Sequence, residues 1–565
     1  MKSLVFAAFA LALAQAGADG WPFITIRETL GPTLNPEKFE EVIAINAKYP
    51  GSCDEYWFCH CGGYDLADAK KDLEKWLRFV PLCEKAGIQV GFQQGVTLGH
   101  GDPHAGGEDS TSAKPYPYSD DAWAKTRDGS KTYTLCPRSP EVLEYQEKYT
   151  ALVCETLNPS SIWLDDDLRM GCYKVDTCFC PRCIAAFNEM TGAEHTREEI
   201  VERLYGGAPS DPLRRQWVDF NASQLALFGA ATRRGADAAN AGCRLALQTV
   251  SANDFITGWD YRPVLEALSG GGRRQVGVRA GCGFYGEEHP REMLEKMLAV
   301  TRECEGCKTY GGLVAQVSYE EENYYREVLH KSVGAVMIES AVALASGCDA
   351  LTLYWWDYSR DEPLSYYEEF ASELSRWRPY LERVAKVNKF THLGGIANDL
   401  PDDLAERGGN FTRYSPVDFN LSTVGIPVTV EEAKPVWMYR AEEVPLKFAF
   451  PSYPTTAELE SFRDFIDRES GGKVPVRIGK THMMRLFPRT DDEDRLHAVT
   501  CWNLSMGPAR KITVRLRNPA SAKWVWARPC EDDVALEAVP GELAGELVVE
   551  LPELPGYAVG TLFAE

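Results

Sequence analysis

Ser161-Ile162-Trp163-Leu164-Asp165-Asp166-Asp167 sets three acids against the end of a short apolar run, and residues 312–322 (GLVAQVSYEEE) repeat the pattern with Glu320, Glu321 and Glu322. A run of four to eight apolar residues closed by polar ones reads as a buried strand. A carboxylate at the end of such a strand is costly to bury, so it takes a partner or a task. Alternation along a strand sends Asp165 and Asp167 to one side and Asp166 to the other, and groups Glu320 with Glu322.

Working outward, six more runs share this form: WPFITIRET from Trp21, EYWFCHCG from Glu55, IQVGFQQ from Ile88, RLALQTVS from Arg244, VGVRAG from Val276 and ALTLYWWD from Ala350. Helical patterns separate them, among them residues 65–87 and 291–306. Strand and helix in strict alternation mean parallel strands with helical crossovers, and eight such units match a (β/α)8 TIM barrel. An open doubly wound sheet would need a Gly-rich phosphate loop after an early strand, and none is visible. In a barrel the polar strand ends face one mouth. They would bring Arg27, Glu28, Gln93, Gln94, Trp355, Trp356 and Asp357 to the two acid clusters.

The texture changes after a helical stretch from Tyr366 to Asn388. Residues 389–487 read as a small α/β domain, and residues 488–565 as a C-terminal antiparallel β-sandwich. Residues 1–18 have one Lys, an apolar stretch from Leu4 to Leu13 and small residues at a cleavage point, the pattern of a signal peptide. The barrel then spans 19–388. No later apolar run is long enough to cross a bilayer, so the mature chain is expected to be periplasmic or secreted and free of the membrane. The chain has 83 acidic and 60 basic residues, a formal charge of −23. That charge repels phosphate backbones and argues against a nucleic-acid partner. It is neutral toward a sugar.

Two carboxyls facing one another across a pocket are what glycosidic bond cleavage requires. The acids have other readings. They could pair with Arg169 or Arg279, or three Asp could hold Ca²⁺ or Mg²⁺. A second constellation is built from thiols. Cys178, Cys180 and Cys183 fall within six residues, and Cys136 precedes the fourth strand by one helix. Thiolates so close suit tetrahedral Zn²⁺, with disulfides or buried free thiols as the alternatives.

The segment CPRSP from Cys136, the acidic end of the fourth strand, and the CxCxxC from Cys178 leading into AAFNEMTG together resemble the glycoside hydrolase family 42 β-galactosidases. The resemblance implies a structural zinc held by Cys136, Cys178, Cys180 and Cys183, and no organic cofactor. It also implies a retaining mechanism with the acid/base at the end of strand four and the nucleophile at the end of strand seven. Family members follow the barrel with a flavodoxin-like domain that takes part in trimer formation, and then a small β-domain. A homo-oligomer is therefore implied, although the short middle unit argues against a trimer.

The family's strand-four motif is Asp-Asn-Glu, where this chain has Asp165-Asp166-Asp167. In register, Asp167 takes the acid/base position and Asp166 replaces the Asn that would touch the sugar. Glu320 takes the nucleophile position. Glu322, Asn323, Arg27, Gln94, Trp355 and Trp356 are candidates for substrate binding. The expectation is a retaining exo-β-glycosidase acting on a β-galactoside or related glycan. Its rivals are a non-catalytic carbohydrate-binding protein on a degenerate barrel and a metal-dependent hydrolase using the Asp cluster.

Overall fold

The structure, a computed structural model, describes residues 20–28, 35–99, 116–170, 177–208, 210–250, 261–281, 284–287, 290–323, 328–356, 362–399, 416–440, 444 and 454–565. The proposed signal peptide and Asp357 lie outside them.

Eight parallel strands close into a barrel in sequence order. They are β1 (Ile24–Glu28), β2 (Glu55–His60), β3 (Gln89–Gln94), β4 (Ser161–Leu164), β5 (Arg244–Gln248), β6 (Val276–Ala280), β7 (Val314–Glu322) and β8 (Ala350–Tyr354). Each corresponds to one of the eight runs read from the sequence. The helical crossovers end where the sequence says they should. The helix Pro36–Lys48 starts on an Asn35 cap with Pro at its first turn, and Val80–Ala86 stops at Gly87 in the left-handed conformation.

The lower half of the barrel is filled. Trp21, Trp57, Trp163 and Ala246 form a core of their own inside the lumen, with the Trp57 and Trp163 rings 4.4 Å apart. Gly277 is required beside them, because a Cβ there would stand 2.7 Å from the Trp21 ring and 2.9 Å from the Trp163 ring. Beneath lies Glu55, wholly buried, which accepts from Trp57 Nε1 at 2.8 Å and Ser161 Oγ at 2.8 Å. A buried carboxylate with this many donors is tolerable. With the bottom filled by indoles, a ligand of the barrel lumen would enter from the C-terminal mouth.

Two smaller bodies follow. The parallel pair Ile396–Asn398 and Trp437–Tyr439 packs with helices Pro416–Thr423 and Thr456–Glu469 around a core that includes Leu298 of the barrel. The sandwich joins a six-stranded sheet to a four-stranded one. It starts earlier than residue 488: Val476–Ile478 pairs antiparallel with Ile512–Leu516, Met484–Thr490 with Leu496–Asn503, and His392–Leu393 with Met484–Thr490. No helix of the described residues is long and apolar enough to cross a membrane.

Candidate active site

At the mouth, Arg27, Gln93, Gln248, Arg279, Glu320 and Glu322 sit in register phase with Trp57 and Trp163 and so turn toward the barrel axis. Two linked groups result. Arg279 contacts the Glu320 carboxylate through Nη1, and its Nη2 lies 3.5 Å from Asp166 Oδ2. Arg27 lies 3.9 Å from Glu322 and 4.6 Å above the Tyr354 ring. Gln93 Nε2 donates to Asp165 Oδ1 at 2.9 Å. Burial would lower the Arg27 pKa, but Glu322 and Asp165 outweigh it and hold the group above its ordinary value. Arg27 is thus a fixed cation.

The mouth has spare hydrogen-bonding capacity. Arg27 Nε, Arg279 Nε, Gln93 Oε1 and Gln248 Nε2 are buried without a hydrogen-bond partner among the described residues. Groups so placed cost free energy unless a ligand or water meets them.

The three Asp do not follow strand alternation, because β4 ends at Leu164 and the chain turns at once. Asp165 faces the mouth. Asp167 does not join it: wholly buried, it accepts from Thr97 N, Thr97 Oγ1 and Gly99 N at 2.9, 2.5 and 2.8 Å. Its oxygens are taken up in holding the loop after β3, which corrects the expectation that it faces the pocket beside Asp165. Asp166, expected on the far side, reaches Arg279 with a quarter of its side chain exposed.

The β7 cluster does alternate, since β7 runs through Glu322. Glu320 and Glu322 face the mouth, and Glu321 is buried behind the wall. There Lys331 Nζ lies 2.8 Å from Glu321 and 2.7 Å from Glu339, and donates to the Glu322 carbonyl at 2.9 Å. Tyr319 OH donates to Glu339 at 2.6 Å. Two carboxyls share one ammonium, and burial pushes Glu339 up to about 7 against the pull of Lys331.

Four other candidates lie away from the mouth. Gln94 points outward and donates to Gln146 at 2.9 Å; its neighbour Gln93 takes the inward position. Trp355 donates to the Lys331 carbonyl and stacks on Phe370, and Trp356 packs on Tyr367 with the Lys38 ammonium over its ring. Neither indole offers a face to a sugar. Asn323 is wholly buried, with its Oδ1 3.1 Å from His330 Nδ1. Gln93, Gln248 and Arg279 complete the mouth, and Lys331 supports it from behind the wall. The phase of Gly91, which needs to be small inside the lumen, was the signal for Gln93 over Gln94.

Cys136, Cys178, Cys180 and Cys183 converge, all buried, with ligand atoms within 4.8 Å of one another. Cys136 Sγ lies 3.7 Å from Cys180 and 3.6 Å from Cys183. Thiolates at about 2.3 Å from Zn²⁺ stand about 3.8 Å apart on a tetrahedron, so the donor set and its spacing fit a structural zinc. The four would clamp the loop after β4 to the segment entering helix Pro140–Leu157. None of these four is in a disulfide.

No family model matches the sequence, and no curated protein matches it. Solved structures do. A β-galactosidase from Bacillus circulans sp. alkalophilus superposes with a TM-score of 0.59 at 10% identity, over 96% of this chain and 99% of that one. A GH42 β-galactosidase from G. stearothermophilus gives 0.56 at 11% identity, over 96% and 98%. An alpha-L-fucosidase from Paenibacillus thiaminolyticus gives 0.52 at 10% identity, over 96% and 100%. At such identities the likeness is one of architecture: over nearly its whole length this chain carries the fold of the family 42 β-galactosidases.

Proposed function

We propose that the protein is a glycoside hydrolase in which Glu320 and Asp166 are the working carboxyls. The observation that carries this reading is their meeting at one guanidinium, Arg279, at the open end of a barrel whose other end is closed. Glu320, in contact with the Arg279 guanidinium, would attack the anomeric carbon as the nucleophile. Asp166, the most exposed of the three Asp, would protonate the leaving oxygen and then deprotonate water. One guanidinium reaching both groups favours the shorter separation, about 5–5.5 Å, that goes with retention over the ~6.5–9.5 Å of inversion. Asp165, Asp166, Glu320 and Glu322 outnumber Arg27 and Arg279. The mouth therefore favours positive charge developing on a sugar ring and disfavours acidic sugars. The unmet donors and acceptors of Arg27, Gln93 and Gln248 suit hydroxyl groups. β-Galactosides are the first substrates to test, and the N-terminal leader supports an exported enzyme.

One observation favours a second reading, a carbohydrate-binding protein without turnover. Arg279 holds Glu320 directly, and Asp167, at the family's acid/base position, is buried on Thr97 and Gly99. A panel of aryl β-glycosides, with product anomers followed by NMR, separates the two. Turnover with retained configuration supports the hydrolase. Sugar binding with no turnover on any member leaves the binding protein.

A further inference from the structure

Strand Met484–Thr490 carries two arginines on one face, and they are treated differently. Arg489 is partnered: Nε donates to Thr391 Oγ1 at 3.1 Å, Nη2 to the Thr391 carbonyl at 2.8 Å, and Nη1 lies 3.6 Å from Glu305. Arg485 is 1% exposed, and none of Nε, Nη1 and Nη2 has a hydrogen-bond partner among the described residues. Its guanidinium lies 4.8 Å from the Phe487 ring centre. Directly across the strand pair stands Trp502, whose side chain is on the same face. It is wholly buried, and its indole Nε1 is also unpartnered among the described residues.

The two side chains offer donors only: five N–H groups from the guanidinium and one from the indole. A guanidinium withdrawn from water with its N–H groups unmet is costly to bury even near a carboxylate. Burial lowers Arg485 to about 10, so it is still a cation at neutral pH. Asp418, on the helix Pro416–Thr423 packed against this strand, is the acid that acts on it electrostatically, and that carboxylate takes the Tyr439 hydroxyl. Asp418 already balances the guanidinium, so every added negative charge is an excess in a buried place, and a monovalent anion adds the least of it.

We propose that Arg485 and Trp502 bind a small monovalent anion of the halide class, enclosed between the six-stranded sheet and the helix Pro416–Thr423. The site is built on the sandwich sheet, from residues other than those that line the mouth. Its consequence is that the junction of the middle unit and the sandwich is completed by an ion from solution.

The test is thermal unfolding of the whole protein as chloride replaces gluconate at constant ionic strength. The midpoint should rise by several degrees and saturate, as expected for a ligand bound by the folded state alone. Trp502→Phe, which removes one donor and keeps the ring volume, should raise the chloride concentration needed for half the effect. Arg485→Met should unfold at a temperature indifferent to chloride. Equal midpoints of the native protein in chloride and gluconate overturn the proposal, as does an unchanged chloride response in Arg485→Met. If Arg485→Met does not fold, bromide-soaked crystals of the native protein decide. An anomalous peak between the guanidinium and the indole upholds the site, and its absence refutes it.

Discussion

The two acid triplets look interchangeable in sequence and behave differently in space. In Glu320-Glu321-Glu322 the strand continues to the last residue, so alternation holds: two acids face the mouth and one is held behind by Lys331. In Asp165-Asp166-Asp167 the strand has already ended, so each acid goes to its own partner: Gln93, Arg279 and the Thr97 loop. A periodicity rule is only as good as the strand end it is applied to. A strand that stops three residues earlier relative to its acids moves the candidate proton donor from Asp167 to Asp166.

The largest test of this comparison is catalytic. Glu320→Gln should lower turnover of a cleaved aryl glycoside on the order of 10⁴-fold, and Asp166→Asn on the order of 10³-fold, both with sugar affinity retained. If Asp167→Asn matches Asp166→Asn in turnover, the assignment of the Asp triplet is wrong. Next comes the clamp behind β7. Lys331→Met leaves Glu321 and Glu339 buried without their cation and should cost about 3–5 kcal/mol in denaturant unfolding. Asp167→Asn should cost about 1–3 kcal/mol, because it weakens a buried carboxylate with several donors, while the folded fraction keeps its turnover.

The smallest effect is a pH dependence. Glu339 is raised in the fold from 4.5 to about 7, so between those values the folded state binds more protons than the unfolded one. Its contribution therefore falls as pH rises through that window. Glu339→Gln lacks this slope. The stability difference between variant and native protein should shift in the variant's favour by about 2 kcal/mol from pH 5 to pH 7. A flat difference across that range would mean that Lys331 keeps both carboxyls ionised.

Much of the fold was legible. All eight barrel strands stand out as apolar runs with polar C-terminal ends, because a parallel sheet covered by helices buries both faces and writes both into the sequence. The cysteine tetrad was equally plain, since few structures demand four thiols at that spacing. What did not show was which side of the wall each strand-end residue takes. Gln93 and Gln94 differ only by phase, and the two tryptophans after β8 follow the strand's last residue, where phase no longer applies. Lys331 could not be read at all. Its role depends on a helix carrying Glu339 that folds back across β7. The sandwich boundary was placed late because Val476–Ile478 is too short to announce itself and is defined by its pairing with Ile512–Leu516.

The indoles that close the barrel have an optical consequence. Trp57 and Trp163 lie 4.4 Å apart with their planes inclined by 31°, a geometry in which neighbouring transition dipoles mix strongly. The pair should give an excitonic couplet in the ultraviolet circular dichroism that exists only while the eight strands are closed. It would let the opening of the barrel be followed separately from the melting of the sandwich.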